Sequence, residues 1–395
     1  MARHYRFFQS ITSFVVLCAG LFLFSGIVHA DDPLFSVHGI KVDVTAASAV
    51  EARTQAFEKA QQDAFKMLAE RLLPEDEASR FTPPPASVIS PMVKDFEITG
   101  EQLSRIQYIG TYSFRFKDSA IRSFFADKNV SFTDIRSKPV LILPFLQTGT
   151  SIILWGEANT WLAAWGRTDT KQGLVPVQIP IGDLADVSDI KDDEALTYDV
   201  LKLRNIVNRY GAGEAIIVIA HPKWNNPDQA APPQSLDVMI YRTDTGAPGF
   251  IKSLSVTTAD QTDNETLFDS AVRITRQTFQ SDWKDKTSVS LDTKSTLHIK
   301  VRFATLREWT ETQKILRNVP GVSAMRVVRL APKQAEIELT YGGSEDNLRL
   351  ALSQSDIILS QPQADYIPAG GYEVPATLTY DLYLNKPPLA VETTE

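Results

Sequence analysis

Cysteine is nearly missing from this sequence: of 395 residues, only Cys18 carries a thiol. It sits inside an apolar run near the amino terminus. Once that run is removed, neither a disulfide nor a thiol nucleophile remains, and stability must come from sizeable cores. Histidine is scarce as well. Beyond residue 30 there are only His38, His221 and His298, far apart and with no HxxxH pair, which argues against a zinc site of the usual ligands. No GxSxG occurs, and no SxxK in a plausible setting, so the common serine-hydrolase signatures fail. Gly211-Ala212-Gly213 closes a helical pattern instead of opening one, so it does not read as a phosphate cradle. Positive charge is in deficit, 40 Lys and Arg against 48 Asp and Glu, which does not suit nucleic acid or an anionic membrane face. There is no second long apolar run.

The first thirty residues have the charge, core and cleavage order of an export leader. Arg3 and Arg6 come first, Ile11 to Phe24 is mostly apolar, and Val28-His29-Ala30 precedes Asp31-Asp32. The expectation is a cleavable signal peptide over 1–30, with no integral membrane span afterwards. An uncleaved anchor fits less well, because Ser13 and Gly20 interrupt a run already short for a span. Loss of the leader takes the formal charge from −8 to −10 and leaves about 365 residues, enough for two or three domains.

Periodicity predicts three tandem domains of α/β type, α+β overall. In 31–135, Phe35–Val44 alternates as a strand. A long helix follows, with Ala52, Ala56, Ala60, Ala64, Leu68 and Leu72 on one face. Pro74 ends it, Pro83-Pro84-Pro85 is a stiff connector, and a strand around Ile106–Phe116 precedes a short helix through Phe125. In 138–286, KPVLILPF is a buried strand, and Gln147–Thr150 turns into a hairpin partner through Trp155. Asp192 is placed to cap a helix carrying Leu196, Val200, Leu203, Val207 and Tyr210, and EAIIVIA is a second buried strand. A hairpin around Thr243-Asp244-Thr245-Gly246 and a helix from about Asn264 to Lys284 complete the unit. In 290–385 the predicted order is βαββαβ, that of a ferredoxin-like domain, which by itself identifies no activity. Residues 386–395 read as a flexible tail.

Several of these stretches resemble a known group. ARTQAFEKAQQDAF, PVLILPF, LWGEANTWLAAW, LVPVQIPIGDLAD and RYGAGEAIIVIA together resemble the bacterial envelope family called "domain of unknown function 2066". The resemblance implies a periplasmic protein and brings no catalytic residues with it. The middle domain also resembles, in pattern, the amino-terminal domain of the translocation protein TolB and curli and flagellar assembly factors. The shared features are Val140–Phe145, Tyr210-Gly211 and Thr245-Gly246. That likeness implies a TolB-N-like mixed sheet and a role in envelope assembly.

Two stretches stand out as candidate binding residues. LWGEANTWLAAW holds Trp155, Trp161 and Trp165, half of the chain's six tryptophans, with Asn159 or Glu157 placed to cap the turn. Trp161 and Trp165 share a helical face. They can fill a core, since aromatics bury large areas, or present a contact surface. The second stretch, GDLADVSDIKDDE, has acids at Asp183, Asp186, Asp189, Asp192, Asp193 and Glu194. Their three-residue spacing with glycine in first place is not that of a calcium loop. His221 follows a buried strand, at the end where α/β ligands bind, but a lone histidine there is more often an ordinary loop residue. The expectation is a non-enzymatic binding or scaffold protein with an envelope protein partner. It has no cofactor, no metal and no catalytic set, and its surface lies at Trp155, Asn159, Trp161, Trp165, Asp183 and Asp186. The alternatives are a hydrolase of an envelope polymer, which predicts a deep pocket with a carboxylate pair or a His221 cluster, and a small-ligand sensor with a cavity at the tryptophans.

Overall fold

The computed structural model describes residues 33–168, 173–224, 232–243, 248–262, 265–288, 294–360, 363–364 and 378–384. The expected leader, the tail at 386–395 and most of the Thr243–Gly246 turn lie outside these residues. The architecture is α+β, with three sheets.

The first sheet has order β1-β3-β2, all antiparallel, built from β1 (Ser36–Thr45), β2 (Val93–Leu103) and β3 (Gln107–Phe116). One face carries α1 (Ala49–Leu72), capped by the Ser48 hydroxyl, which accepts from the Glu51 amide at 3.2 Å. The whole expected stripe, Ala52 to Leu72, is buried. Its alanines leave depth for Tyr108, Tyr112, Phe114 and Phe116, which share the helix-facing side of β3 and are buried with them. Gly110 lies between the two tyrosines, where a Cβ would come within 2.7 Å of both rings. Short helices α2 (Glu75–Arg80) and α3 (Ala86–Ile89) fill the connection, and α4 (Asp118–Asp127) follows β3. Strand β2 gave no sequence signal, because an edge strand wet on most sides lacks the apolar alternation that marks a half-buried one.

The second sheet contains β4 (Val140–Thr148), β5 (Ser151–Ile153), β6 (Val177–Gln178), β7 (Glu214–Lys223), β8 (Ser235–Arg242) and β9 (Gly249–Thr257). Its order is β5-β4-β7-β8-β9, with β6 also on β4. The continuous apolar strands β4 and β7 are parallel and central, as buried strands of this kind require. The expected β4–β5 hairpin turns at Gly149, whose φ of 59° suits glycine. Helices α5 (Thr160–Arg167) and α8 (Leu267–Thr287) belong to the core on one face. The core on the other includes α7 (Val200–Arg209), against which α6 (Leu184–Asp189) packs. One expectation is corrected here. Asp192 does not cap α7; its carboxylate accepts from the Leu154 and Trp155 amides at 2.7 and 3.0 Å. The cap is Asp199, which accepts from Leu201 and Lys202, so the helix starts later than its apolar spacing suggested.

The third sheet comprises β10 (Lys294–Arg302), β11 (Val322–Ala331), β12 (Gln334–Gly342), β13 (Ile357–Leu359), β14 (Gln363–Ala364) and β15 (Leu378–Leu384). Helices α9 (Leu306–Asn318) and α10 (Glu345–Gln354) complete the set. The order β11-β12-β10 and its antiparallel pairings are those of a ferredoxin-like unit. The last strand departs from it. β15 lies parallel to β10, and β13, antiparallel to β15, takes the outer place. A plain ferredoxin-like sheet needs β15 to run the other way, so the expected βαββαβ order holds only through α10.

The connection from α4 to β4 is not a loose linker. Phe132, Thr133, Asp134 and Ile135 are buried, and Thr133 donates its amide to the Leu72 carbonyl at 3.0 Å. Trp283 of α8 donates its indole N–H to the Ile135 carbonyl at 2.6 Å and packs against the cores of all three sheets' modules. Beside it the Lys284 ammonium donates to the Glu70 carbonyl at 3.0 Å, and Lys138 pairs with Asp356 at 2.5 Å.

Candidate contact surface

The tryptophan segment turns inward. Asn159 caps α5, its Oδ1 accepting from the Leu162 amide at 2.9 Å. Its Nδ2 donates to the Pro144 and Leu154 carbonyls, both at 2.8 Å, pinning the turn to β4. From that cap Trp161 and Trp165 point into the core and are fully buried, with ring centroids 5.5 Å apart in an edge-to-face pair. The Trp161 indole donates to the Val218 carbonyl at 3.3 Å. These rings, expected as a contact surface, therefore form core, as does buried Asn159. The reason is the cap itself, which fixes the helix with its aromatic face on the sheet. Trp155 is half-buried. Its indole donates to the Ile190 carbonyl at 2.7 Å, and its ring lies 3.1 Å from where a Cβ on Gly182 would stand.

The acidic stretch holds the more informative inversion. Asp183 is exposed and caps α6, accepting from the Asp186 amide at 2.9 Å. Asp186, expected at the surface, has no exposed area. Its carboxylate accepts from the Gly182 amide at 3.0 Å, the Tyr210 hydroxyl at 2.7 Å and the Arg209 guanidinium at 2.9 Å. Asp189 shares Arg209 at 2.7 Å. Burial and the bond to Asp186 push the Tyr210 hydroxyl up to about 12, so it stays a donor at neutral pH.

Acids at 183, 186 and 189 and apolar residues at Ile181, Leu184 and Val187 repeat at the same interval in this stretch. Only Leu184–Asp189 is helical, and within it Asp186 and Asp189 lie on a different side from Leu184 and Val187, so only one pair can face in. Charge won, because Arg209 and Tyr210 at the end of α7 offer a fully hydrogen-bonded seat. Leu184 is left 91% exposed and Ile181 79%, and Leu201, at the start of α7, is 66% exposed. Val187, Leu196 and Val200 are also exposed. Ile181 is tied to Tyr210 through its amide (2.9 Å), and Ser188 to Lys202 through its carbonyl (3.2 Å). These two bonds hold the 181–188 stretch beside α7, and its exposed aliphatics with Leu201 make an apolar ridge there. Burying the three most exposed side chains is worth about 3–6 kcal/mol in all. Sequence reasoning missed these residues because it assigns apolar positions to the core. The available signal was the matched spacing of acids and aliphatics.

A cleft of about 960 Å³ lies between α1 and α8 and is lined by Arg71, Arg167, Glu265, Asp269, Arg273 and Lys284 among others. Two of its four carboxylates are held in ion pairs at its α8 wall: Asp269 with Arg167 at 2.5 Å and Glu265 with Arg273 at 3.2 Å. The bond from Arg273, with others from Thr262 and Ser270, pulls Glu265 down to about 2, away from a general acid's range. His221 is half-buried with its Nε2 lacking a hydrogen-bond partner, and burial, then Lys223, lowers its pKa. Nearby Ser255 donates to Asp237 at 2.9 Å, so serine, histidine and aspartate are not joined in a relay. Among the described residues no cluster of His, Cys, Asp or Glu is arranged to hold a metal ion, and no helix is long and apolar enough to cross a membrane.

Neither a scan against protein-family models nor a search of curated proteins finds a match for this chain.

Proposed function

We propose that this protein works by contact, as a non-enzymatic binding or scaffold factor that recruits a protein partner in the bacterial envelope. The observation that carries the reading is the inside-out helix α6. A buried, fully bonded Asp186 holds Ile181 and Leu184 in water on a rigid base. Solvated aliphatics on a pre-organised frame lose little entropy on docking, and that is the arrangement of a contact site. The periplasmic setting is supported by the leader pattern and by the resemblance to the envelope family; the TolB-like pattern supports an assembly role.

The test is recovery of partners from intact envelopes with wild type and with Leu184→Glu/Leu201→Glu. Both positions are exposed, so the variant keeps its fold. The variant is expected to lose partners that wild type retains. If both recover the same set, the surface is wrongly assigned. Trp161 gives no comparable test, because its removal opens the core.

A further inference from the structure

The cleft between α1 and α8 holds a buried cation with unused donors. Lys284, in the last turn of α8, is 8% exposed and lines that cleft. Its ammonium gives one hydrogen bond, to the Glu70 carbonyl at 3.0 Å, which caps the last turn of α1. An ammonium has three donors. Among the described residues no second acceptor takes one, and no carboxylate stands within ion-pair distance. Burial pulls the Lys284 pKa down from the ordinary lysine value, and Glu75, Asp285 and Glu70 offset only part of that. A buried charge left with one neutral acceptor destabilises a fold, and a methionine of similar length would fill the same space.

Two more groups on this side of α8 are uncommitted. Ser281 and Gln277, three and seven residues before Lys284, line the same cleft. Neither side chain has a hydrogen bond among the described residues. Other polar groups of the wall are engaged. Gln280 accepts from the Leu174 and Val175 amides at 2.8 and 3.2 Å, and Arg71 donates to the Leu34 and Ser36 carbonyls at 2.6 and 2.7 Å. The free donors therefore come from an ammonium, a hydroxyl and an amide on one helix face. They suit an anion with several oxygens, and a phosphoryl group offers three. Glu70 and Glu75 line the cleft too, but both are exposed and Glu70 pairs with Lys66 at 3.9 Å. Water screens them more than it screens the buried ammonium. At about 960 Å³ the cleft has room for a molecule of metabolite size. Met67 is the one large apolar side chain lining it among the described residues, which leaves no seat for an acyl chain.

We propose that this wall binds the phosphoryl group of a small soluble phosphate ester, with the Lys284 ammonium as its charged contact and Ser281 and Gln277 as hydrogen-bond donors. The site is separate from the ridge and stands or falls without it.

Calorimetric titration of the purified protein at fixed ionic strength tests this, with glycerol 3-phosphate, inorganic phosphate and glycerol as probes. The ester is expected to bind with a Kd on the order of 100 µM, inorganic phosphate more weakly, and glycerol not at all. Lys284→Met should weaken the ester at least about tenfold. That change also removes a helix cap, so Ser281→Asp is the second variant. It places a carboxylate beside the ammonium at an accessible position, and should abolish binding while leaving Tm no lower than that of the wild type. Wild type that binds neither phosphate, or Ser281→Asp that binds the ester as wild type does, overturns the proposal. Flotation with phosphatidylcholine vesicles containing phosphatidic acid separates the sources. No flotation is expected, and flotation that Ser281→Asp abolishes would overturn the soluble ester in favour of a lipid headgroup.

Discussion

Replacing Asp186 by alanine tests the seat on which the ridge depends. The side chain is fully buried and accepts three hydrogen bonds, two from groups of α7 or its cap. Removing it leaves the Tyr210 hydroxyl without its acceptor, a loss of about 1 kcal/mol. Breaking a buried ion pair outright costs about 3–5 kcal/mol, but Arg209 keeps Asp189 at 2.7 Å and is about one-third exposed (36%), which lowers that contribution. The net expectation is a loss of about 2–4 kcal/mol for Asp186→Ala and about 1 kcal/mol for Tyr210→Phe. Urea unfolding gives the first quantity. Hydrogen exchange of residues 181–190 shows whether α6 detaches before the rest, as a locally seated helix should. A change under about 0.5 kcal/mol, with protection of this segment intact, would refute the idea that the carboxylate holds the helix.

The other expectations concern the frame. Trp283→Ala removes a ring shared by three cores and a bond to the Ile135 carbonyl; a loss of about 2–4 kcal/mol is expected, with calorimetry splitting into separate transitions, and a single unbroken transition would contradict the junction role. Ala60→Leu forces extra atoms between α1 and its sheet and should cost about 1–3 kcal/mol in denaturant unfolding. Glu265 sits at about 2 instead of 4.5, so its stabilisation is complete above pH 4.5 and is lost as pH falls towards 2; Glu265→Gln should flatten the fall of Tm across that window, and an unchanged acid slope would count against the Arg273 pairing.

Much of the fold could be read from the sequence because burial there follows periodicity. The alanine stripe and the runs VLILPF and EAIIVIA have one arrangement that removes their apolar atoms from water. Strand direction was less legible. Nothing in LTYDLYL says whether it runs with or against β10, so the parallel β15 and the outer β13 emerged only in three dimensions. The same gap hid the contact surface. Trp161 and Trp165 were conspicuous and turned out to be core, since a cap at Asn159 determines which way α5 faces. At α6 the apolar rule failed, because a distant Arg209 and Tyr210 offered the aspartates a better-bonded interior than the leucine could obtain.

The most direct test of the central claim is a photocrosslinking scan in intact envelopes. A crosslinker is placed singly at Ile181, Leu184 and Leu201 and, as controls, at exposed Val50 and Phe96 of the first module. Adducts with a protein, a second copy included, at the three ridge positions and not at the controls are the predicted result. Adducts at the controls with none along the ridge would contradict it.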